Sequence, residues 1–297
     1  MRWEDERQSD NVEDRRGQGG GFGGVSMRRG GIGIGTIVLV LLGGWLFGIN
    51  PLELLGLIGG IDGGPVLQTT APSAPGPRGG VSPPDRGGRF VSTVLASTED
   101  VWTGIFRQAG AGYRPPRLVM FTGATPTACG FGQSAAGPFY CPEDQTVYID
   151  LSFYQILQQR FGAPGDFAQA YVVAHEVGHH VQNLAGTMDQ VQSQRRRMSA
   201  RQYNRLSVRL ELQADCYAGI WASRSQQAKG WLEQGDIEEG LNAASQIGDD
   251  KMQMRSEGTV VPDAFTHGSS KQRVYWFRAG MESKRLSDCD TFGRTEP

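Results

Sequence analysis

The segment His175-Glu176-Val177-Gly178-His179 lies inside an apolar stretch with helical periodicity, and it restricts the chain more than any other run of residues. On a helix the two imidazoles sit one turn apart on one face, with a carboxylate between them. That geometry suits a tetrahedral Zn2+ whose fourth position carries a water, and Glu176 lies close enough to take that water's proton. The chain holds 4 histidines, and three of them are His175, His179 and His180. Apolar residues from Phe167 to Val181 recur at three- and four-residue spacing, which predicts a helix with Asp166 as N-cap and Gly186 as its stop. Gly178 inside it costs about 1 kcal/mol against Ala, and its missing side chain would let another helix approach the metal. His180 points about 100° away from His179 and is expected to pack or face solvent rather than coordinate.

Two histidines do not complete a zinc site. Downstream, 206–223 is again helix-patterned and contains Glu211 and Asp215, four residues apart and therefore on one face. Acidic pairs at this spacing are usually solvated, but Leu206, Leu210, Leu212, Ala214 and Cys216 make this helix largely apolar. Unpaired buried carboxylates are costly, and a metal resolves the conflict. Glu211 is therefore expected to coordinate zinc, with Asp215 accepting the second N–H of His175 or His179.

With these residues in place the chain resembles the gluzincin branch of zinc metallopeptidases, and more narrowly a bacterial family of neutral zinc metallopeptidases. The likeness extends to Met1-Arg2-Trp3, to the run from Asn11 to Arg16 and to His267-Gly268-Ser269-Ser270, and so covers almost the whole chain. It implies that His175, His179 and Glu211 bind Zn2+ and that Glu176 is the general base for hydrolysis of a peptide bond. It also implies a zincin-like fold. His267 resembles a histidine that opens a late helix in membrane-associated gluzincins and faces the developing oxyanion. It is expected to donate to the tetrahedral intermediate, with Arg273 orienting the groups behind the site. The bland alternative is that His267 and Ser269 only cap a helix. A latent zinc-binding scaffold is the competing function, and the intact Glu176 speaks against it.

The remaining sequence suggests where this chemistry takes place. The stretch 32–49 is apolar apart from Thr36 and glycines, close to the length that spans a bilayer. Arg28 and Arg29 precede it and no basic residue follows before Arg78, so the positive-inside rule predicts a cytoplasmic N-terminus and an extracytoplasmic catalytic part. The expected division is a disordered N-terminus (1–30), a transmembrane helix (31–51), an interfacial patch with a Pro/Gly-rich linker (52–89) and a metallopeptidase domain (90–297). Four cysteines fit an oxidising compartment. The expected pairs are Cys129–Cys141 and Cys216–Cys289, although spacing alone does not choose among the three pairings that four cysteines allow.

Strands near 118–121 and 146–151 followed by helices predict an α+β class, with helices at 90–108, 153–161, 231–247 and 270–282. The Gly-rich loop between Cys129 and Cys141 is expected to carry a sheet edge facing the cleft. An exposed edge beside the metal would bind an extended peptide or protein substrate by strand addition. The formal net charge of -2 implies no nucleic acid partner. The sequence says nothing about oligomeric state.

Overall fold

A short strand and a long helix come first, a group of short strands follows, and the remaining helices complete the computed structural model, which describes residues 1–17, 85–133 and 137–293. In chain order the elements are β1 (Val12–Asp14), α1 (Arg86–Gln108), β2 (Arg117–Phe121), β3 (Ala124–Thr127), β4 (Gly130–Gln133), β5 (Phe139–Cys141), β6 (Thr146–Asp150), α2 (Ser152–Gln159), α3 (Asp166–Leu184), α4 (Thr187–Gln194), α5 (Ala200–Lys229), α6 (Asp236–Gln246), α7 (Asp249–Glu257) and α8 (Ser270–Ser283). The class is α+β, as the order of strand and helix patterns predicts.

The larger sheet has the order β1-β2-β6-β5. β1 is parallel to β2 with Val12 opposite Leu118, and β2 is parallel to β6 with Leu118 opposite Val147. β5 closes the other edge antiparallel to β6, with Tyr140 opposite Val147. Successive side chains on a strand face opposite sides. Leu118, Met120, Val147 and Ile149 accordingly enter the main helical core, while Val119, Phe121 and Tyr148 form a smaller cluster on the other face. Burial on both faces explains why β2 and β6 read as short continuous apolar runs rather than alternating ones.

The helices pack closely because glycines stand at their crossings. A Cβ on Gly178 of α3 would lie 3.0 Å from the Ala214 carbonyl oxygen of α5, so the expected close approach at this glycine is present. Between α5 and α8 the contact is tighter and reciprocal: a Cβ on Gly219 would meet the Phe277 carbonyl, and one on Gly280 the Cys216 carbonyl. α3 begins one residue earlier than expected. Gly165 holds the cap position, and Asp166 is the first helical residue, its carboxylate accepting the Trp3 indole N–H at 2.9 Å. Both expected disulfides are formed, Cys129–Cys141 and Cys216–Cys289.

The expected disorder of 1–30 does not hold for residues 1–17. They form an arm that is part of the folded body. Trp3 is buried against Phe90 in an edge-to-face pair at 5.1 Å. Buried Glu99 of α1 takes its side-chain partners from the arm: Arg7 at 3.1 Å, the Ser9 hydroxyl, and Asn11 at 2.7 Å. The arm's polar composition suggested disorder, but its polar groups are consumed by specific partners. The folded body also resumes earlier than 90, with Asp85 capping α1 through the Gly88 N–H at 2.7 Å. The expected transmembrane helix (31–51) and most of the linker lie outside the described residues. Among the described residues no helix is long and apolar enough to cross a membrane.

Candidate metal centre

Helix α3 presents Tyr171, His175 and His179 at successive turns, and α5 presents Glu211 and Asp215 one turn apart against them. The Gly178–Ala214 contact sets the separation of the two helices at this level. His175 Nε2 lies 3.0 Å from one Glu211 carboxylate oxygen, and His179 Nε2 lies 3.5 Å from the other. The ligand atoms of His175, His179 and Glu211 all fall within 4.8 Å of one another. Nitrogen and oxygen donors about 2 Å from a shared tetrahedral zinc stand about 3.3 Å apart, so this donor set fits the metal.

The groups behind the ligands fix which ring nitrogens are available. His175 Nδ1 donates to Asp215 at 2.8 Å. Asp215 is fully buried and also accepts from the Tyr171 hydroxyl and from Arg273 Nε at 2.8 Å and Nη2 at 2.9 Å. His179 Nδ1 donates to Gln182 at 2.9 Å. The Gln182 amide donates in turn to the Leu210 carbonyl and to Gln213, whose own amide donates to the Cys289 carbonyl. Both rings therefore turn Nε2 toward Glu211. One ring is backed by a carboxylate–guanidinium pair and the other by a neutral amide chain ending at a disulfide cysteine.

Charge follows the same geometry. Burial would lower the His175 pKa, but the Asp215 charge and the bonds to Asp215 and Glu211 reverse this and push it up to about 10. His179 is raised for the same reason, with burial opposed by Glu211. Burial works against Asp215 ionising, yet Arg273 and His175 bring its pKa down to about 2. Glu176 differs. It is buried, makes no hydrogen bond or ion pair among the described residues, and burial raises its pKa against the pull of the two imidazoles. A carboxylate in that condition is suited to take and return a proton.

His267 lies in the loop before α8 with its side chain 54% exposed. Asp249 holds it by accepting the Thr266 N–H at 2.7 Å, the His267 N–H at 2.6 Å and Nδ1 at 3.2 Å. Partial burial would lower its pKa, but the Asp249 bond and the Glu211 charge raise it. Ser269, not His267, caps α8, in a capping box with Gln272.

A family model described as "Putative neutral zinc metallopeptidase" matches residues 1–292. The chain belongs to that family. The uncharacterized protein YpfJ of Escherichia coli K12 is 48% identical over 299 residues, covering 99% of this chain and 100% of the relative. The uncharacterized protein Rv2575 of Mycobacterium tuberculosis H37Rv is 40% identical over 218 residues, covering 70% of this chain and 73% of the relative. No solved structure matches the chain significantly.

In this member of the zinc metallopeptidase family several supporting residues escape sequence reasoning. Tyr171 and Gln182 stand at helical spacing from His175 and His179, so their positions were readable, but hydrophobic periodicity absorbed the tyrosine and nothing singled out the glutamine. Asp249 had no signal, because its partner is 18 residues away across a turn. His180 is buried rather than solvent-facing: Nε2 donates to the Arg114 carbonyl at 2.7 Å, and Nδ1 accepts the Tyr140 hydroxyl at 2.9 Å. Asn183 also donates to that hydroxyl, so the helix bearing the imidazoles grips edge strand β5 directly.

Proposed function

We propose that the protein is a zinc-dependent peptidase with a zincin-like fold, in which His175, His179 and Glu211 hold the metal and Glu176 is the general base. The observation that carries this reading is the buried Glu176 carboxylate, unpartnered among the described residues, beside a donor set whose Nδ1 atoms are already committed. When bound, zinc supplies Lewis acidity and an acidified water. Glu176 accepts the proton of the attacking water and delivers it to the leaving amine. His267, held through Nδ1 by Asp249, offers Nε2–H to the oxyanion that forms at the scissile carbonyl. Asp215, Tyr171 and Arg273 keep the His175 ring in one tautomer and one orientation.

A polypeptide substrate is supported by β5. Among the described residues it is the last strand of its sheet, with one row of its backbone groups unpaired within that sheet, and the Tyr140–His180 bond ties it to α3. An extended peptide adding to that edge would run beside the metal helix. The test is to incubate the full chain, loaded with zinc, with an unbiased peptide library and read new termini by mass spectrometry. Cleavage that a chelator abolishes and zinc restores supports the peptidase. Full zinc loading with no cleavage of any peptide favours a latent scaffold.

A further inference from the structure

Gln213 stands between the metal centre and a disulfide. Its amide donates to the Cys289 carbonyl at 3.1 Å, and its Oε1 accepts from Gln182 Nε2 at 3.0 Å. Gln182 Nε2 also donates to the Leu210 carbonyl at 2.7 Å, and Gln182 Oε1 accepts from His179 Nδ1 at 2.9 Å. The direction of each bond follows from the far end. A backbone carbonyl only accepts, so the NH2 of Gln213 faces Cys289 and its oxygen faces Gln182. Gln182 then commits both amide hydrogens to Leu210 and Gln213, which leaves its oxygen for the ring. His179 is thereby held with its proton on Nδ1 and its lone pair on Nε2, the atom turned toward Glu211. Both glutamines are buried, so these groups depend on the partners named.

The far end of this chain of bonds is fastened to α5. Cys289 is joined to Cys216, one turn beyond Gln213 on the same helix. Thr291 donates to the Arg209 carbonyl at 2.7 Å, and Arg209 Nη1 donates to the Phe292 carbonyl at 2.5 Å. Arg209, Gln213 and Cys216 share one face of α5, opposite the face that carries Glu211 and Asp215. The residues leading into Cys289, 285–287, are exposed, so the disulfide is the covalent tie between the Cys289 carbonyl and the helix it serves.

We propose that the Cys216–Cys289 disulfide positions the zinc ligand His179 through Gln213 and Gln182, so that zinc is held at full affinity only while this pair is oxidised. His175 does not share the dependence, because its Nδ1 partner Asp215 is held by Arg273 and Tyr171 instead. The second disulfide, Cys129–Cys141, ties the β3–β4 turn to β5 and lies outside the chain of bonds. The proposal rests on the metal centre proposed above and not on peptide cleavage.

The test uses the full chain. Zinc affinity is read at one fixed pH by competition with a chromophoric chelator, and the visible spectrum of the Co2+-loaded protein reports the ligand geometry. Cys216→Ser with Cys289→Ser is compared with Gln213→Leu, with all three substitutions together, and with Cys129→Ser plus Cys141→Ser. The serine pair at 216 and 289 and the Gln213→Leu variant should each weaken zinc binding by about tenfold and alter the Co2+ spectrum in the same way. The triple variant should lose no more than either, because all three substitutions act through one chain. Removing Cys129–Cys141 should leave both readouts unchanged. Additive losses would overturn the proposal, and so would an equal loss on removing either disulfide. Gln213→Leu keeps both disulfides, so an unchanged affinity and spectrum in that variant overturn the proposal even where the serine pair fails to fold. An unaltered chain that takes up no zinc would overturn the metal centre and this inference together, whereas normal zinc uptake with insensitive variants overturns this inference alone.

Discussion

At the scale of single residues the centre depends on how each imidazole is backed. Asp215 is a buried charge that Arg273 compensates and Tyr171 and His175 saturate. Replacing Asp215 with Asn keeps the shape but weakens the hold on the His175 ring, and zinc affinity should fall by roughly 10- to 100-fold. Competition with a chromophoric chelator measures this, and an unchanged affinity would contradict the assigned role. Arg273→Met should act on stability, because it removes the guanidinium that compensates the buried Asp215 charge, a loss of about 3–5 kcal/mol. Protons compete with the metal at the same atoms. In the metal-free protein His175 is held protonated up to about pH 10 and His179 is also raised, whereas binding requires both rings neutral. Zinc affinity should therefore climb as pH rises from about 6 to about 9, by up to about tenfold per unit for each proton displaced. An affinity that is flat across this range would show that the carboxylates do not hold the rings protonated.

Elements matter here through how closely they can approach. The α5–α8 crossing brings Arg273 to Asp215, and it exists because Gly219 and Gly280 let backbones touch. Gly280→Ala would place a methyl group 1.9 Å from the Cys216 carbonyl oxygen. The helices must then separate, with a stability loss of about 1–3 kcal/mol or more and a weaker Arg273–Asp215 pair. Denaturant unfolding and zinc affinity should both register the change, and a neutral outcome would mean the crossing relaxes without disturbing the site. The long helices were legible in the sequence because their apolar periodicity is strong: α3 and α8 fall close to the expected spans, while α5 (Ala200–Lys229) runs beyond the expected 206–223 at both ends. Strand β1 was not, because Val12–Asp14 is a short polar run whose pairing with Leu118–Met120 is non-local. Helix α7 buries only Asp249 and shows no apolar stripe, so neither the helix nor its clamp on His267 could be read in advance. The metal donors were readable because their chemistry forces residue type and spacing together. The amide chain through Gln182 and Gln213 was not, since glutamine carries no comparable constraint.

On the scale of the whole molecule, the N-terminal arm is a structural part of the metal domain. Trp3 fills a site against Phe90 and donates to Asp166 at the start of the helix that carries both imidazoles. Trp3→Ala should therefore cost about 3–5 kcal/mol of stability, although the residue lies 172 positions from His175 in the chain. Thermal or denaturant unfolding would show it, whereas a dispensable tail would give no change. Among the described residues the Glu176 carboxylate is buried and unpaired next to three candidate ligands, and the proposed chemistry depends on it. The most direct measurement compares the zinc content and peptide cleavage of the unaltered chain with those of Glu176→Gln. The expected result is the same zinc content in both, close to one equivalent, with cleavage confined to the unaltered chain. Cleavage that survives in Glu176→Gln would contradict the assignment of Glu176 as the base, and an unaltered chain that takes up no zinc would contradict the metal centre itself.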